Sequence, residues 1–262
     1  MYINNMELQA DPMHRPYISS NPYTISPPTP LVYIGTSPEY SEDSIWKPTS
    51  TKKAEYSPNN IIIFDWDNTL LATDYVRREG FIIMSDCKHM MPSQEVLEKC
   101  KKISAFAESL LEVAKSLGRV VIVTNATESW VERTCSILMP ELFHMIVDIP
   151  IISACKLYEH AYKHTDMWKL MTFRHEILKG FFEEDDVAPR TIMSIGDSEA
   201  ERIAVKMLKF TSEYGVITTK SLKFKESPSP DMLMLQLKKI ASNLPFLLAS
   251  PNHLDLFITC PS

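Results

Sequence analysis

Ile61-Ile62-Ile63-Phe64-Asp65-Trp66-Asp67-Asn68-Thr69-Leu70 is the stretch that decides the fold of this chain. Four apolar residues, three of them β-branched, predict a strand buried on both faces. The strand runs straight into two carboxylates. Side chains two apart on an extended chain point the same way, so Asp65 and Asp67 are predicted to face one site. Like charges this close are costly unless a cation, a shared proton or a reacting electrophile joins them. The pattern asks for a divalent metal and a phosphate. A calcium loop or a solvated turn is the alternative use of a D-x-D pair.

Moving outward, residues 71–91 read as irregular, with Arg77 and Arg78 as solvated loop arginines. Apolar residues at three- and four-residue steps then predict a helix from Pro92 to Gly118, with a break near Lys101-Lys102 allowed. Arg119 to Ala126 repeats the pattern of a buried strand, here ending in the hydroxyl of Thr124. Thr127 to Met139 reads as an amphipathic helix capped at Thr127 or Asn125, and Ile146 to Ile152 as the next strand region. Asp166 to Phe182 is helical again, and Glu183 to Asp186 an acidic solvated loop. Thr191 to Glu201 gives a strand, a glycine and an acidic helix start. Tyr214 to Thr218 reads as an edge strand, Leu222 to Lys225 as a short extended segment, and Ser229 to about Leu244 as a helix. Lys220, Lys223 and Lys225 read as a solvated basic face, and His160 and His164 as surface residues.

Ile61 to Leu70 resembles the first motif of the haloacid dehalogenase (HAD) superfamily, a strand ending in D-x-D-x-T. The later stretches resemble its other motifs in order, across Ile61 to about Arg202. The resemblance implies an α/β, Rossmann-type domain with a central parallel sheet and ligands at the carboxyl ends of its strands. It makes Asp65 the nucleophile and Asp67 the general acid/base, with Thr69 completing the motif. Thr124 would hold a phosphoryl oxygen, with the amides of Asn125 and Ala126 beside it. Lys169 is the choice for the motif-three lysine, with Lys163 and Lys156 as rivals. Asp65, Asp67 (through its carbonyl) and Asp197 would hold Mg2+, and Glu201 would aim Lys169 or a metal water. Family members usually carry Asp where Glu201 stands. The chain also resembles a eukaryotic group of HAD-like proteins to which no substrate is attached.

The activity so implied is a magnesium-dependent phosphatase acting through an aspartyl-phosphate. Only about fifty residues separate the first motif from the next strand, so the cap is minimal and the site open to a bulky or protein substrate. The alternatives are a catalytically weak scaffold used for binding, and a phosphotransferase of the same chemistry.

Composition narrows the classes further. At 262 residues, with a net charge of −6, the chain suits one domain plus an appendage and carries no electrostatic footprint for nucleic acid. With Gly at only 6, no glycine-rich phosphate loop of the Walker or dinucleotide type is present. Five scattered cysteines without C-x-x-C spacing argue for reduced thiols in a cytoplasmic or nuclear setting. No apolar run is long enough to span a membrane. Residues 1–58 hold half of the 18 prolines and read as a largely disordered tail, a candidate for binding a protein partner, with at most a short strand at Leu31 to Ile34. Residues 59–262 read as the HAD-like domain.

Overall fold

The computed structural model describes residues 32–33, 52–81, 92–181, 188–211 and 215–258. The strands are β1 (Val32–Tyr33), β2 (Asn60–Phe64), β3 (Arg119–Thr124), β4 (Ile151–Ser153), β5 (Arg190–Gly196), β6 (Ile217–Lys223) and β7 (Leu254–Phe257). They form one sheet in the order β1-β7-β6-β5-β2-β3-β4, and every pairing is parallel. The fold is therefore a Rossmann-like α/β sheet, as the buried runs predict.

The helices are α1 (Thr73–Arg78), α2 (Gln94–Lys115), α3 (Trp130–Leu138), α4 (Phe143–Ile146) and α5 (Ala154–Tyr158). Beyond them come α6 (Thr165–Thr172), a π-helical turn at Phe173–Ile177, α7 (Leu178–Phe181), α8 (Glu199–Met207) and α9 (Pro230–Ala249). Strand β2 shows how they sandwich the sheet. Ile62 and Phe64 pack with Ile103, Leu110, Leu237 and Leu244 of α2 and α9 on one face. Ile61 and Ile63 pack with Phe173, Ile177, Ala204 and Val205 on the other. Two-residue alternation along a fully buried strand produces this division.

From β2 the chain steps outward to β3 and β4, then returns across β2 to build β5, β6 and β7 on the other side. The reversal of strand order lies between β2 and β5. Open α/β sheets bind ligands at such a point, outside the carboxyl ends of the strands.

Several local expectations need correction. Ile146 ends α4 and residues 147–150 turn, so the strand after α3 is only Ile151–Ser153; Pro150 has no N–H for a ladder. Helix α2 runs unbroken through Lys101-Lys102. Helix α3 is preceded by Ser129 in the left-handed region (φ 63°), and no side chain of Ser129 caps it. Ile217 to Lys223 is one interior strand between β5 and β7, where an edge strand and a separate segment were expected. Helix α9 continues past Leu244 through Pro245, and the Pro245 carbonyl accepts the Ala54 N–H. Strand β7 was not expected at all.

Val32–Tyr33 adds to β7, and the Ser57 N–H bonds to the Leu117 carbonyl. Residues 1–31 and 34–51 of the expected tail, residues 82–91, the acidic loop at Glu183 to Asp186, Tyr214, Cys87 and Cys260 lie outside the described residues; within the stretch read as irregular, Thr73–Arg78 forms α1. Cys100, Cys135 and Cys155 are free and buried. No described helix is long and apolar enough to cross a membrane.

Candidate active site

Strand β2 ends at Phe64, and the Asp65 N–H continues its ladder by donating to the Ile195 carbonyl of β5 at 2.9 Å. Asp65 and Asp197 therefore follow the two strands that flank the order reversal. Both are nearly buried, at 6% and 8% exposure. Lys169 comes in from α6, 2% exposed, with its Nζ 2.8 Å from Asp65 Oδ1 and hydrogen-bonded to Glu201 Oε1 as well. Of the three lysines in contention, it alone reaches the aspartates. Lys156 is exposed and pairs with Glu128, and Lys163 is exposed.

Glu201 is fixed from its own helix. Ser198 caps α8, its N–H donates to Glu201 Oε2 at 3.0 Å, and the two form a capping box. Gly196 makes room for this. A Cβ there would lie 2.7 Å from Glu201 Cγ, so the glycine is required by the close approach of that side chain.

Asp67 is held separately. Its Oδ1 accepts from Thr73 Oγ1 at 2.6 Å and from Trp130 Nε1 at 3.0 Å, and Asn68 turns the chain behind it at φ 56°. Arg77 lies over the Trp130 ring, 5.5 Å from its centroid. Thr124 is buried at the end of β3, and its Oγ1 accepts the Ala126 N–H at 3.0 Å. That bond takes one of the two amides expected to stand free beside it. The Asn125 amide group donates to the Thr165 carbonyl, while its Oδ1 and the buried Thr69 Oγ1 have no hydrogen-bond partner among the described residues.

Lys223 belongs to this site and was not expected there. It is buried at the end of β6, and its Nζ donates to the Asp197 carbonyl at 2.7 Å and to Glu226 at 3.0 Å. Lys220 is buried too, donating to the Ser250 and Asn252 carbonyls. Lys220 and Lys223 are thus no part of a solvated face, while Lys225 is exposed as expected. His160 is exposed, as expected, and so is His164. Glu199 is half-exposed on α8 and pairs with Arg202.

The electrostatics follow from one ammonium serving two carboxylates. Burial costs Lys169 part of its charge preference, but Asp65 and Glu201 together outweigh it and hold the ammonium firmly protonated. Burial also acts on Glu201, where Lys169 and the Ser198 hydrogen bonds overcome it and keep the carboxyl low. Asp65 is left short. Burial pushes it well above the carboxylate range, Lys169 only partly opposes this, and the charges of Glu201 and Asp67 push the same way. Asp197 is raised to about 7 by burial and by Glu201, against Lys169 and Lys223. Four acidic side chains thus share two buried ammonium groups.

Neither comparison gives this chain a family. No family model matches the sequence, and no curated protein matches it.

Among the described residues no three His, Cys, Asp or Glu side chains form a ready metal cluster. What the chain offers is an oxygen-only set, Asp65 and Asp197 with main-chain oxygens, in surroundings short of positive charge. Hard divalent cations take such donors, and a second source of positive charge would draw both aspartates back into ionised form.

Proposed function

We propose that this chain is a magnesium-dependent phosphatase of the HAD type, hydrolysing a phosphomonoester through a phosphoryl group carried on Asp65. The observation that carries the proposal is Lys169, buried between Asp65 and Glu201 at the point where the strand order reverses. A buried ammonium facing a carboxylate nucleophile suits an incoming dianion, whose equatorial oxygens need fixed positive charge.

Asp65 Oδ attacks phosphorus, and the bond from phosphorus to the leaving oxygen breaks. Asp67, held by Thr73 and Trp130, gives its proton to that oxygen, and the alcohol departs. In the second half Asp67 takes a proton from water as the water attacks the phosphoryl group, releasing orthophosphate and restoring Asp65. Thr124 keeps its hydroxyl hydrogen for a phosphoryl oxygen because its Oγ1 accepts, and does not donate, in the bond from Ala126. Glu201 and Gly196 act by holding Lys169 in place, and Lys223 by holding the Asp197 main chain. Asp65, Asp197 and the Asp67 carbonyl would hold Mg2+, which would neutralise charge on the phosphoryl oxygens when bound.

The test is hydrolysis of phenyl phosphate with and without Mg2+, for wild type, Asp65→Asn and Asp67→Asn. Activity that needs Mg2+ and falls by at least about 10³ in Asp65→Asn supports the assignment. Mg2+-dependent hydrolysis that survives Asp65→Asn would rule out the covalent route. Folded wild-type protein without turnover on a broad phosphomonoester panel would favour a binding scaffold.

A further inference from the structure

Next to Thr124 the surface opens into a pocket of about 250 Å³, between the start of α3 and the end of β4. Its wall includes Trp130, Ile152 and Leu157, with Glu128 and Lys156 at the side. Two members of the proposed catalytic set border it or are wired to it. Thr124 lines it directly, and Trp130 both lines it and donates to the Asp67 carboxylate. A phosphoryl group held by Thr124 and protonated on its leaving oxygen by Asp67 would direct its leaving alcohol toward this wall.

Resting on the phosphatase reading, we infer that the pocket beside Trp130 is the leaving-group site and that it takes an aromatic alcohol, making the substrate an uncharged-tailed aryl phosphomonoester. Size is the first argument. Pockets for drug-sized ligands begin at roughly 300 Å³, so this one receives a ring-sized group and little more. Lining chemistry is the second. Three of the polar side chains in and beside the wall, Ser153, Lys156 and Trp130, are already engaged, which leaves Thr127, Ser129 and Glu132 as its remaining polar lining. Ser153 Oγ donates to the Ala126 carbonyl and accepts the Lys156 N–H, Lys156 Nζ pairs with Glu128, and the Trp130 N–H is on Asp67. Ile152, Leu157 and the part of the indole that Arg77 does not cover supply its apolar contact surface. Leu157 is the third. It stands at the rim, 46% exposed, on the short helix α5, an apolar surface that a bound ring would cover. Charge is the fourth. Glu128 and Glu132 outnumber Lys156 in the lining, which disfavours a leaving group bearing a second phosphate or a carboxylate.

The pocket can be read without turnover. Phenylphosphonate and methylphosphonate share the phosphoryl-like head and differ in the ring, so the ratio of their affinities for the Mg2+-loaded protein reports on the pocket alone. Calorimetry should show phenylphosphonate binding about tenfold tighter, the value of burying one apolar ring-sized surface in part. Leu157→Trp, which fills the rim, and Leu157→Ser, which strips it, should both bring the ratio toward one while methylphosphonate affinity stays within about twofold. In turnover, phenyl phosphate should exceed glycerol phosphate in kcat/KM by a similar factor, and that preference should shrink in both variants. A wild-type ratio near one, or a ratio unmoved by both Leu157 substitutions, overturns the aromatic site while leaving the phosphatase reading intact. A strong ring preference in binding without any phosphate hydrolysis supports the pocket and sinks the phosphatase.

Discussion

Replacing Lys169 with Met tests the charge arrangement most directly. Methionine keeps the unbranched shape and the buried methylenes and removes only the ammonium. In wild type that ammonium lies 2.8 Å from Asp65 Oδ1 and also bonds Glu201, with both acids at or below 6% exposure. Removing one partner of a buried ion pair leaves charge uncompensated, at about 3–5 kcal/mol. For a domain of this size, with each kcal/mol worth about 2–4 °C, the melting temperature should fall by roughly 6–20 °C. The sign of the pH dependence is set by what remains. Without Lys169, burial and mutual repulsion raise the folded-state pKa of Asp65 and Glu201 above their unfolded values. The stability such groups contribute is present at low pH and lost as pH rises through the folded pKa. The difference between wild type and variant should therefore be large at pH 8 and smaller at pH 5.5. Added Mg2+ should recover part of the loss at pH 8, by about 2.7 kcal/mol at one hundred times its dissociation constant. Urea unfolding followed by the fluorescence of Trp66, fully buried and bonded to Thr134, would measure all three. A loss under about 1 kcal/mol at both pH values would refute the idea that Lys169 is the shared counter-charge.

Three further outcomes are expected. Gly196→Ala places a Cβ 2.7 Å from Glu201 Cγ, and because Lys169 and Ser198 pin that side chain it should cost about 1–3 kcal/mol in urea unfolding and lower turnover together; full stability and rate would mean that Glu201 relaxes freely. Trp130→Phe keeps the ring and deletes the N–H on Asp67, so kcat on phenyl phosphate should drop about tenfold with KM nearly unchanged; a change confined to KM would assign Trp130 to binding alone. Lys220, with its pKa lowered to about 8 by burial, binds its proton less readily in the folded chain than in the unfolded one. Its burial therefore penalises stability below pH 8, and the penalty lifts as pH rises toward the unfolded value. Wild type should gain up to about 3 kcal/mol relative to Lys220→Met between pH 7 and pH 10.5, read by urea midpoints, while parallel curves would show that the two carbonyls it bonds keep it fully charged.

Lysine 223 shows why part of the site could be read from the sequence and part could not. Ile61 to Phe64 announces itself because a strand buried on both faces must be apolar at every position, and the carboxylates after it are conspicuous by contrast. Lys169 could be singled out only through the motif order that the resemblance implies, and only the structure separates it from Lys156 and Lys163. Strand β6 has no such signature. Its sequence, Ile-Thr-Thr-Lys-Ser-Leu-Lys, is largely polar, yet six of its seven residues are buried. It tolerates this because its polar groups find partners far away in sequence. Lys220 bonds the carbonyls of Ser250 and Asn252, Thr219 bonds His253, and Lys223 bonds the Asp197 carbonyl. A local pattern of polarity reports exposure only when the partners are water. The same reasoning covers Trp130 and Asp67, whose hydrogen bond spans 63 positions, and Gly196, where the demand comes from the side chain of Glu201 and not from the backbone. What was hidden is therefore mostly polar side chains satisfied by remote polar groups, and of these Lys223 and Trp130 lie at the candidate site. An unexpectedly buried lysine at the end of a parallel strand is for that reason a stronger pointer to the candidate site than its neighbours' composition, because the acceptor that makes its burial tolerable, the Asp197 carbonyl, belongs to the proposed set.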